Sequence, residues 1–202
     1  MSEGKTKKRI LIAEDDHWLC TSLVEALEDK GYEVVGIART GKEAVEQALA
    51  HQPDLIIMDI RMPELDGLEA ARQINEKTFI PIVLLTAFAD PTFLERARKA
   101  RVLGYLMKPI SIAELISAIE IAFNIGRQIN HLEIEIENLR EELEARKVIE
   151  RAKGFLMDAY GFKEGEAMRF LQKEAAKRRV KLKVLAQAIL DMAEKLLEEA
   201  KK

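Results

Sequence analysis

Five short apolar runs, each followed by a helical pattern, fill the first half of the chain and leave few folds open to it. Arg9–Ala13, Glu33–Ala38, Leu55–Met58, Ile80–Leu85 and Tyr105–Met107 are rich in Ile, Leu and Val, as befits strands buried on both faces of a parallel sheet. Between them Trp18–Asp29, Lys42–Ala50, Leu68–Glu76, Thr92–Arg101 and the stretch from Ile112 onward read as helices. Gly31, Gly41, Pro53, Pro63–Gly67, Pro81 and Gly104 punctuate the boundaries. This repetition predicts an α/β fold, a doubly wound five-stranded parallel sheet with its functional site at the carboxyl ends of the strands.

After Ile112 the strand signal stops. Ile125, Ile129, Leu132, Ile136, Leu139 and Leu143 alternate four- and three-residue spacings, which is an a/d seam. The seam predicts a coiled coil joining two copies of the chain, with Gly126 its one plausible break. Beyond it, Val148–Ala159, a turn at Tyr160-Gly161-Phe162, Lys163–Arg178 and Leu182–Ala200 form a small all-α module. The expected organisation is therefore 1–124, a sheet domain; 125–145, a coiled-coil helix; and 146–202, a three-helix module. Charge changes along with structure. His131–Ala145 has six Glu and one Arg, whereas Arg146–Lys183 has twelve Lys/Arg and five Asp/Glu. A basic block after an acidic one suits a polyanion partner, although a solvated Glu/Lys-rich surface would read the same way.

Several classes drop out. The single cysteine, Cys20, excludes an intrachain disulfide framework and a Cys-rich zinc site. Met1–Arg9 is charged with no apolar h-region behind it that could act as a signal peptide, and the longest apolar runs are far short of the roughly 20 residues that span a bilayer. The expectation is a soluble, cytoplasmic protein with no membrane partner.

The chemistry gathers at one sheet edge. Glu14-Asp15-Asp16 follow the first strand, Asp59 ends the third, Thr86 follows the fourth and Lys108-Pro109 follow the fifth. Asp16 is placed to cap the next helix. Crowded carboxylates repel one another and call for a cation, and oxygen-only ligands select a hard ion such as Mg²⁺. A metal, a nucleophilic carboxylate, a lysine and a hydroxyl together make a phosphoryl-transfer site. Any one of these acids alone would more often be a cap; their shared placement at strand ends favours function.

On these residues the chain resembles the receiver domains of two-component systems over 8–122. ILIAEDD, DLIIMDIRMPELDG, the LTA at 85–87 and GYLMKP at 104–109 carry the likeness. The resemblance implies that Asp59 accepts the phosphoryl group from a histidine kinase. It implies that Asp15, Asp59 and the Arg61 backbone carbonyl bind Mg²⁺, with Glu14 holding it through water. Thr86 and Lys108 would contact the phosphoryl group, Thr86 and Tyr105 would form the switch, and Lys108–Pro109 would be a cis peptide. Val102-Leu103 depart from the small residues common before the Gly, which touches packing only. Such a protein accepts a phosphoryl group without being a turnover enzyme.

In the module, Arg146, Lys153 and Tyr160 fall near one helical face, while Arg169, Lys173 and Lys177 repeat at i, i+4, i+8 and Arg178 extends the line. Such a stripe tracks phosphates, and Phe155 or Tyr160 could stack on unpaired bases. Leu156, Met157 and Leu171 read as core. Ala152 and Gly154, small residues in mid-helix, suggest close approach by another backbone. Residues 146–190 resemble the ANTAR RNA-binding module of transcription antiterminators through Arg146, Ile149, Ala152-Lys153-Gly154, Leu156-Met157, Gly161, Ala167, Leu171 and the apolar spacing of Leu182–Ile189. The implied function is a response regulator whose phosphorylation promotes dimerisation and binding to tandem RNA stem-loops, causing antitermination. A phospho-regulated DNA-binding regulator and a protein-docking regulator are the alternatives.

Overall fold

The computed structural model describes residues 7–87 and 91–199. Strands β1 (Arg9–Ala13), β2 (Glu33–Ala38), β3 (Leu55–Asp59), β4 (Ile82–Thr86) and β5 (Gly104–Met107) form one parallel sheet in the order β2-β1-β3-β4-β5. Helices α1 (His17–Asp29), α2 (Gly41–His51), α3 (Gly67–Lys77), α4 (Pro91–Lys99) and the long α5 (Ile112–Tyr160) follow the strands in turn.

Strand side chains alternate between faces, so each central strand feeds two cores. Leu11, Ala13, Ile56, Met58, Ile82 and Leu84 pack with α2, α3 and α4 through Ala44, Ala48, Leu68, Ala71, Ile74 and Ala97. Ile10, Ile12, Leu55, Ile57, Val83 and Leu85 pack with α1 and the start of α5 through Leu23, Leu27, Leu115, Ile119 and Phe123. Each fully buried Leu or Ile contributes about 1.5–3 kcal/mol of transfer free energy. Caps set the helix starts. Asp16 accepts from the Trp18 and Leu19 amides at 2.8 and 3.2 Å, Thr40 from Glu43 at 3.1 Å, and Asp66 from Glu69 at 2.8 Å.

Helix α5 runs unbroken for 49 residues, so Gly126 is not a break. A Cβ there would lie 2.5 Å from Pro81 Cγ; the glycine lets the helix pass close over the entry to β4.

The chain divides into two compact units, one through Asn130 and one from His131. The second contains the rest of α5, α6 (Glu164–Arg178) and α7 (Leu182–Glu199). Gly161, at φ +69°, ends α5 with its amide on the Met157 carbonyl at 3.0 Å. Ala152, Leu156, Ala167, Leu171, Ala175, Leu185, Ala186 and Leu190 form the core of this unit, and its alanines let the helices approach closely. Two expectations need correction. Met157 is exposed rather than core, and a Cβ on Gly154 would meet nothing within 4 Å, so only Ala152 serves close approach. Along α5, Ile125 and Ile129 are half-buried, whereas Leu132, Ile136, Leu139 and Leu143 are exposed. Among the described residues no helix is long and apolar enough to cross a membrane.

Candidate functional site

The parallel sheet brings the strand-end acids together. One carboxylate oxygen each from Glu14, Asp15 and Asp59 lies within 4.8 Å of the others, with Glu14 and Asp59 buried and Asp15 exposed. The Glu14 amide donates to the Ala38 carbonyl at 3.0 Å, fixing the turn out of β1. Asp59 Oδ1 accepts from the Ile60 amide at 2.8 Å. Its Oδ2 faces Lys108 Nζ at 3.1 Å, and the same ammonium lies 2.7 Å from Glu14 Oε2. Gly67 lies against the Asp59 carbonyl so closely that a Cβ would overlap it, which lets α3 begin directly beside the acid.

Burial raises the Glu14 carboxyl above its ordinary value, and repulsion from Asp59 adds to this against the opposing pull of Lys108. Burial pulls the Lys108 ammonium down, but hydrogen bonds and attraction to Glu14 and Asp59 outweigh it and leave the group above its usual value. The lysine therefore stays charged between two acids.

Thr86 is buried at the end of β4, where its carbonyl accepts from the Lys108 amide at 2.7 Å. Lys108–Pro109 is cis. Tyr105 stands on β5 opposite Leu84 and is partly exposed. Arg61 lies in the loop between β3 and α3, two residues past Asp59. Three carboxylates with no nitrogen or sulfur donor fit a hard divalent ion such as Mg²⁺.

One contributor escaped the sequence reading. Arg39, just past β2, points its Nη1 at the Glu14 and Asp15 carbonyls at 3.4 and 3.3 Å and at Cys20 Sγ at 3.3 Å. Its position after a strand at this same edge was the available signal.

In the second unit Arg146, Tyr160, Arg169, Lys173, Lys177 and Arg178 are exposed. Lys153 is not part of this exposed set, which corrects the sequence expectation. Its side chain is buried, with Nζ 3.0 Å from Glu150 Oε2 and 2.9 Å from Glu164 Oε1. Glu174, on the same helix, accepts from Arg178 Nε at 3.3 Å.

Comparison with known proteins assigns a family to each part of the chain. The response regulator receiver domain family matches residues 10–120, and the ANTAR domain family matches residues 137–190. The transcriptional regulatory protein PdtaR of Mycobacterium tuberculosis is 46% identical over 190 residues, covering 94% of this chain and 93% of that protein. The transcriptional regulatory protein DesR of Bacillus subtilis is 44% identical over 121 residues, covering 59% of this chain and 60% of its own. Among solved structures, the signal receiver domain of a modulated diguanylate cyclase from Desulfovibrio desulfuricans G20 superposes with a TM-score of 0.57. It is 32% identical and covers 60% of this chain and 98% of that one. The response regulator domain of Thermotoga maritima CheB gives a TM-score of 0.55 at 29% identity, covering 58% and 97%.

Proposed function

This chain belongs to the response regulators with an N-terminal receiver domain and a C-terminal ANTAR domain, and on that premise we propose that phosphorylation of Asp59 switches its binding to RNA stem-loops. The observation that carries the reading is the trio Glu14, Asp15 and Asp59, with Lys108 bridging Glu14 and Asp59.

A histidine kinase supplies the phosphoryl group. An Asp59 carboxylate oxygen attacks phosphorus in line, an O–P bond forms, the N–P bond of the phosphohistidine breaks, and the imidazole leaves with the electron pair. Asp15, Asp59 and the Arg61 carbonyl, with Glu14 behind them, would hold Mg²⁺, which would supply charge neutralisation at the phosphoryl oxygens. Lys108 moves its ammonium from the carboxylates to a phosphoryl oxygen. The Thr86 hydroxyl donates to another, and Tyr105 packs into the room this leaves, repacking the surface around an acyl phosphate of charge about −2, one more than the carboxylate it replaces. The chain receives one phosphoryl group and is not a turnover enzyme.

The output requires two copies. Setting Ile129, Ile136 and Leu143 at a, and Ile125, Leu132 and Leu139 at d, puts mainly Ile at a and Leu at d, a pattern that favours parallel two-stranded coils. In that register position g of one helix meets position e of the next heptad in its partner. The pairs are Gln128–Glu133, Glu135–Arg140 and Glu142–Lys147, none of them like-charged. A parallel dimer presents two basic modules side by side, which raises the effective concentration of the second on tandem stem-loops. Arg146, Arg169, Lys173, Lys177 and Arg178 contact phosphates, and a hairpin held this way competes with a terminator so that transcription continues.

A gel shift with tandem stem-loop RNA, with and without a small-molecule phosphodonor and Mg²⁺, tests the proposal. Phosphodonor should strengthen binding in wild type and leave Asp59→Asn unchanged. Tighter binding to duplex DNA than to hairpin RNA, or equal enhancement in Asp59→Asn, would reject it.

A further inference from the structure

Four aromatic rings in the C-terminal unit follow one another edge to face or tilted. Phe155 and Tyr160 lie 6.2 Å apart, Tyr160 and Phe162 6.2 Å, and Phe162 and Phe170 5.6 Å. They belong to one open cavity of about 360 Å³ whose walls include Leu185, Ile189 and Met192. Rings meant only for packing would be covered, yet Tyr160 is 66% exposed, Phe170 39% and Met192 65%. The wall has two charged members, Glu174 and Arg178. Arg178 Nε donates to Glu174 Oε2 at 3.3 Å, which steadies the carboxylate, and the Glu174 side chain is 21% exposed.

The neighbourhood identifies the occupant. On α6, with 3.6 residues per turn, the line Arg169–Lys173–Lys177 lies directly beside the line Phe170–Glu174–Arg178 that enters the cavity. A polyanion following the cationic line therefore passes the mouth of an aromatic slot. A peptide or lipid would use the apolar walls but not the adjacent stripe, whereas a nucleic acid uses both, with phosphates on the lysines and a base among the rings.

We propose that this cavity takes one unpaired, amino-bearing base, a purine best filling its volume, from the loop of an RNA stem-loop. Tyr160 and Phe170 supply the stacking surfaces. Glu174 accepts a hydrogen bond from the exocyclic amino group, which adenine, guanine and cytosine carry and uracil lacks. Arg178 acts as a positioning residue that aims the carboxylate. The inference rests on the RNA reading above and adds the atoms that read a base.

The experiment uses the full chain and labelled stem-loop RNAs whose loop positions are replaced one at a time by uracil or by an abasic residue. In wild type, one loop purine should be found whose replacement by either weakens binding about tenfold or more. In Tyr160→Ala the abasic penalty at that position should shrink to about twofold. In Glu174→Gln the stacking should persist while discrimination against uracil falls, and a folded circular dichroism spectrum keeps both variants interpretable. Penalties unchanged in both variants would overturn the cavity assignment while leaving stem-loop binding standing. If no stem-loop binds in wild type, the RNA reading itself fails. In that case AMP or GMP shifting the Tyr160 ring resonances would make the cavity a free-nucleotide site, which also overturns the loop-base assignment. A Tyr160→Ala chain that loses self-association would reassign the cavity to a contact between copies.

Discussion

The ammonium of Lys153 lies 2.9 Å from Glu164 Oε1, tying the last turns of α5 to the first turn of α6 across eleven residues of sequence. Hydrogen bonds to Glu164 and Glu150 hold it above its ordinary value, so both of its acidic contacts are made within the fold. Lys153→Met should therefore lower the melting temperature of the C-terminal unit by a few degrees and leave the salt dependence of RNA binding alone. Arg169→Ala with Lys173→Ala should do the reverse, flattening the log–log slope by about 0.7 for each phosphate no longer neutralised. Thermal melts and a salt titration of the two variants separate the roles. A flatter slope in Lys153→Met would return that lysine to the RNA surface.

The coiled-coil assignment is checked by charge reversal. Arg140→Glu would set Glu135 of one helix against a second carboxylate on the other at both symmetric places. With exposed pairs worth about 0.3–0.5 kcal/mol each, self-association should weaken about fivefold. Adding Glu135→Lys should restore it, and Leu132→Lys with Leu139→Lys should give a monomer by sedimentation. Failure of the second charge change to rescue the first would argue against the parallel register.

At the acidic strand-end site Lys108 and a divalent cation would compete for the same carboxylates. Lys108→Ala should therefore bind Mg²⁺ about tenfold more tightly, read from the fluorescence of Trp18, the one tryptophan in the chain, while losing the phosphorylation-dependent gain in RNA binding. The Glu14 carboxyl is raised chiefly by burial, so it is protonated at a pH where an ordinary carboxylate is not. Mg²⁺ binding must displace that proton, and affinity should fall as pH drops through this raised value. Without Lys108 the fall should begin at higher pH, because an attraction that favours the ionised acid is gone. A Lys108→Ala chain with weaker Mg²⁺ binding would show that the lysine organises the site rather than competing for it.

The sheet and its acidic edge were legible because both are consequences of order along the chain. In a parallel sheet, strand-end residues such as Glu14, Asp59 and Lys108 must meet whatever the loops do. Lys153, Gly126 and Arg39 were not legible. Helical periodicity places Lys153 on a face but does not say that α6 brings Glu164 to that face. A glycine in a helical pattern reads the same whether it breaks the helix or, like Gly126, makes room for Pro81. Arg39 has only its place after a strand at this edge to mark it, because its contacts run largely to the main-chain carbonyls of Glu14 and Asp15, which side-chain pattern does not reveal.

On the receiver unit, Glu120 accepts from Lys8 Nζ at 2.8 Å and from the Tyr32 hydroxyl at 2.5 Å. Hydrogen bonds from Lys8 and then Tyr32 lower its carboxyl, while burial and then the Glu120 contact raise the Tyr32 phenol. A lowered carboxyl contributes stability above its unfolded value and loses it as pH falls through the folded one. With the Glu120 side chain 46% exposed, Glu120→Gln should cost only about 0.5 kcal/mol at pH 7. The difference from wild type should shrink in urea titrations as pH falls below the ordinary carboxylate range and through this lowered value. A gap that persists there would assign the effect to packing.

Two glycines in the same helix should respond oppositely to alanine. In a helix interior Gly→Ala gains about 0.5–1 kcal/mol from backbone entropy and propensity alone. At Gly154 nothing within 4 Å meets the new methyl group, so Gly154→Ala should stabilise the C-terminal unit by that amount. At Gly126 the methyl would lie 2.5 Å from Pro81 Cγ, and a pyrrolidine ring cannot swing aside as a flexible side chain can. Relief there requires α5 to lift from the entry to β4, disturbing Phe123 one turn earlier, which is buried in the core beneath. Overpacking of this kind costs about 1–3 kcal/mol, more than the propensity gain, so Gly126→Ala should be destabilising overall. Urea melts of the two variants decide the matter by sign. If Gly126→Ala proves as stabilising as Gly154→Ala, α5 does not pass Pro81 at this distance in solution. If Gly154→Ala keeps its stability but loses stem-loop binding, the open face at Gly154 receives RNA directly.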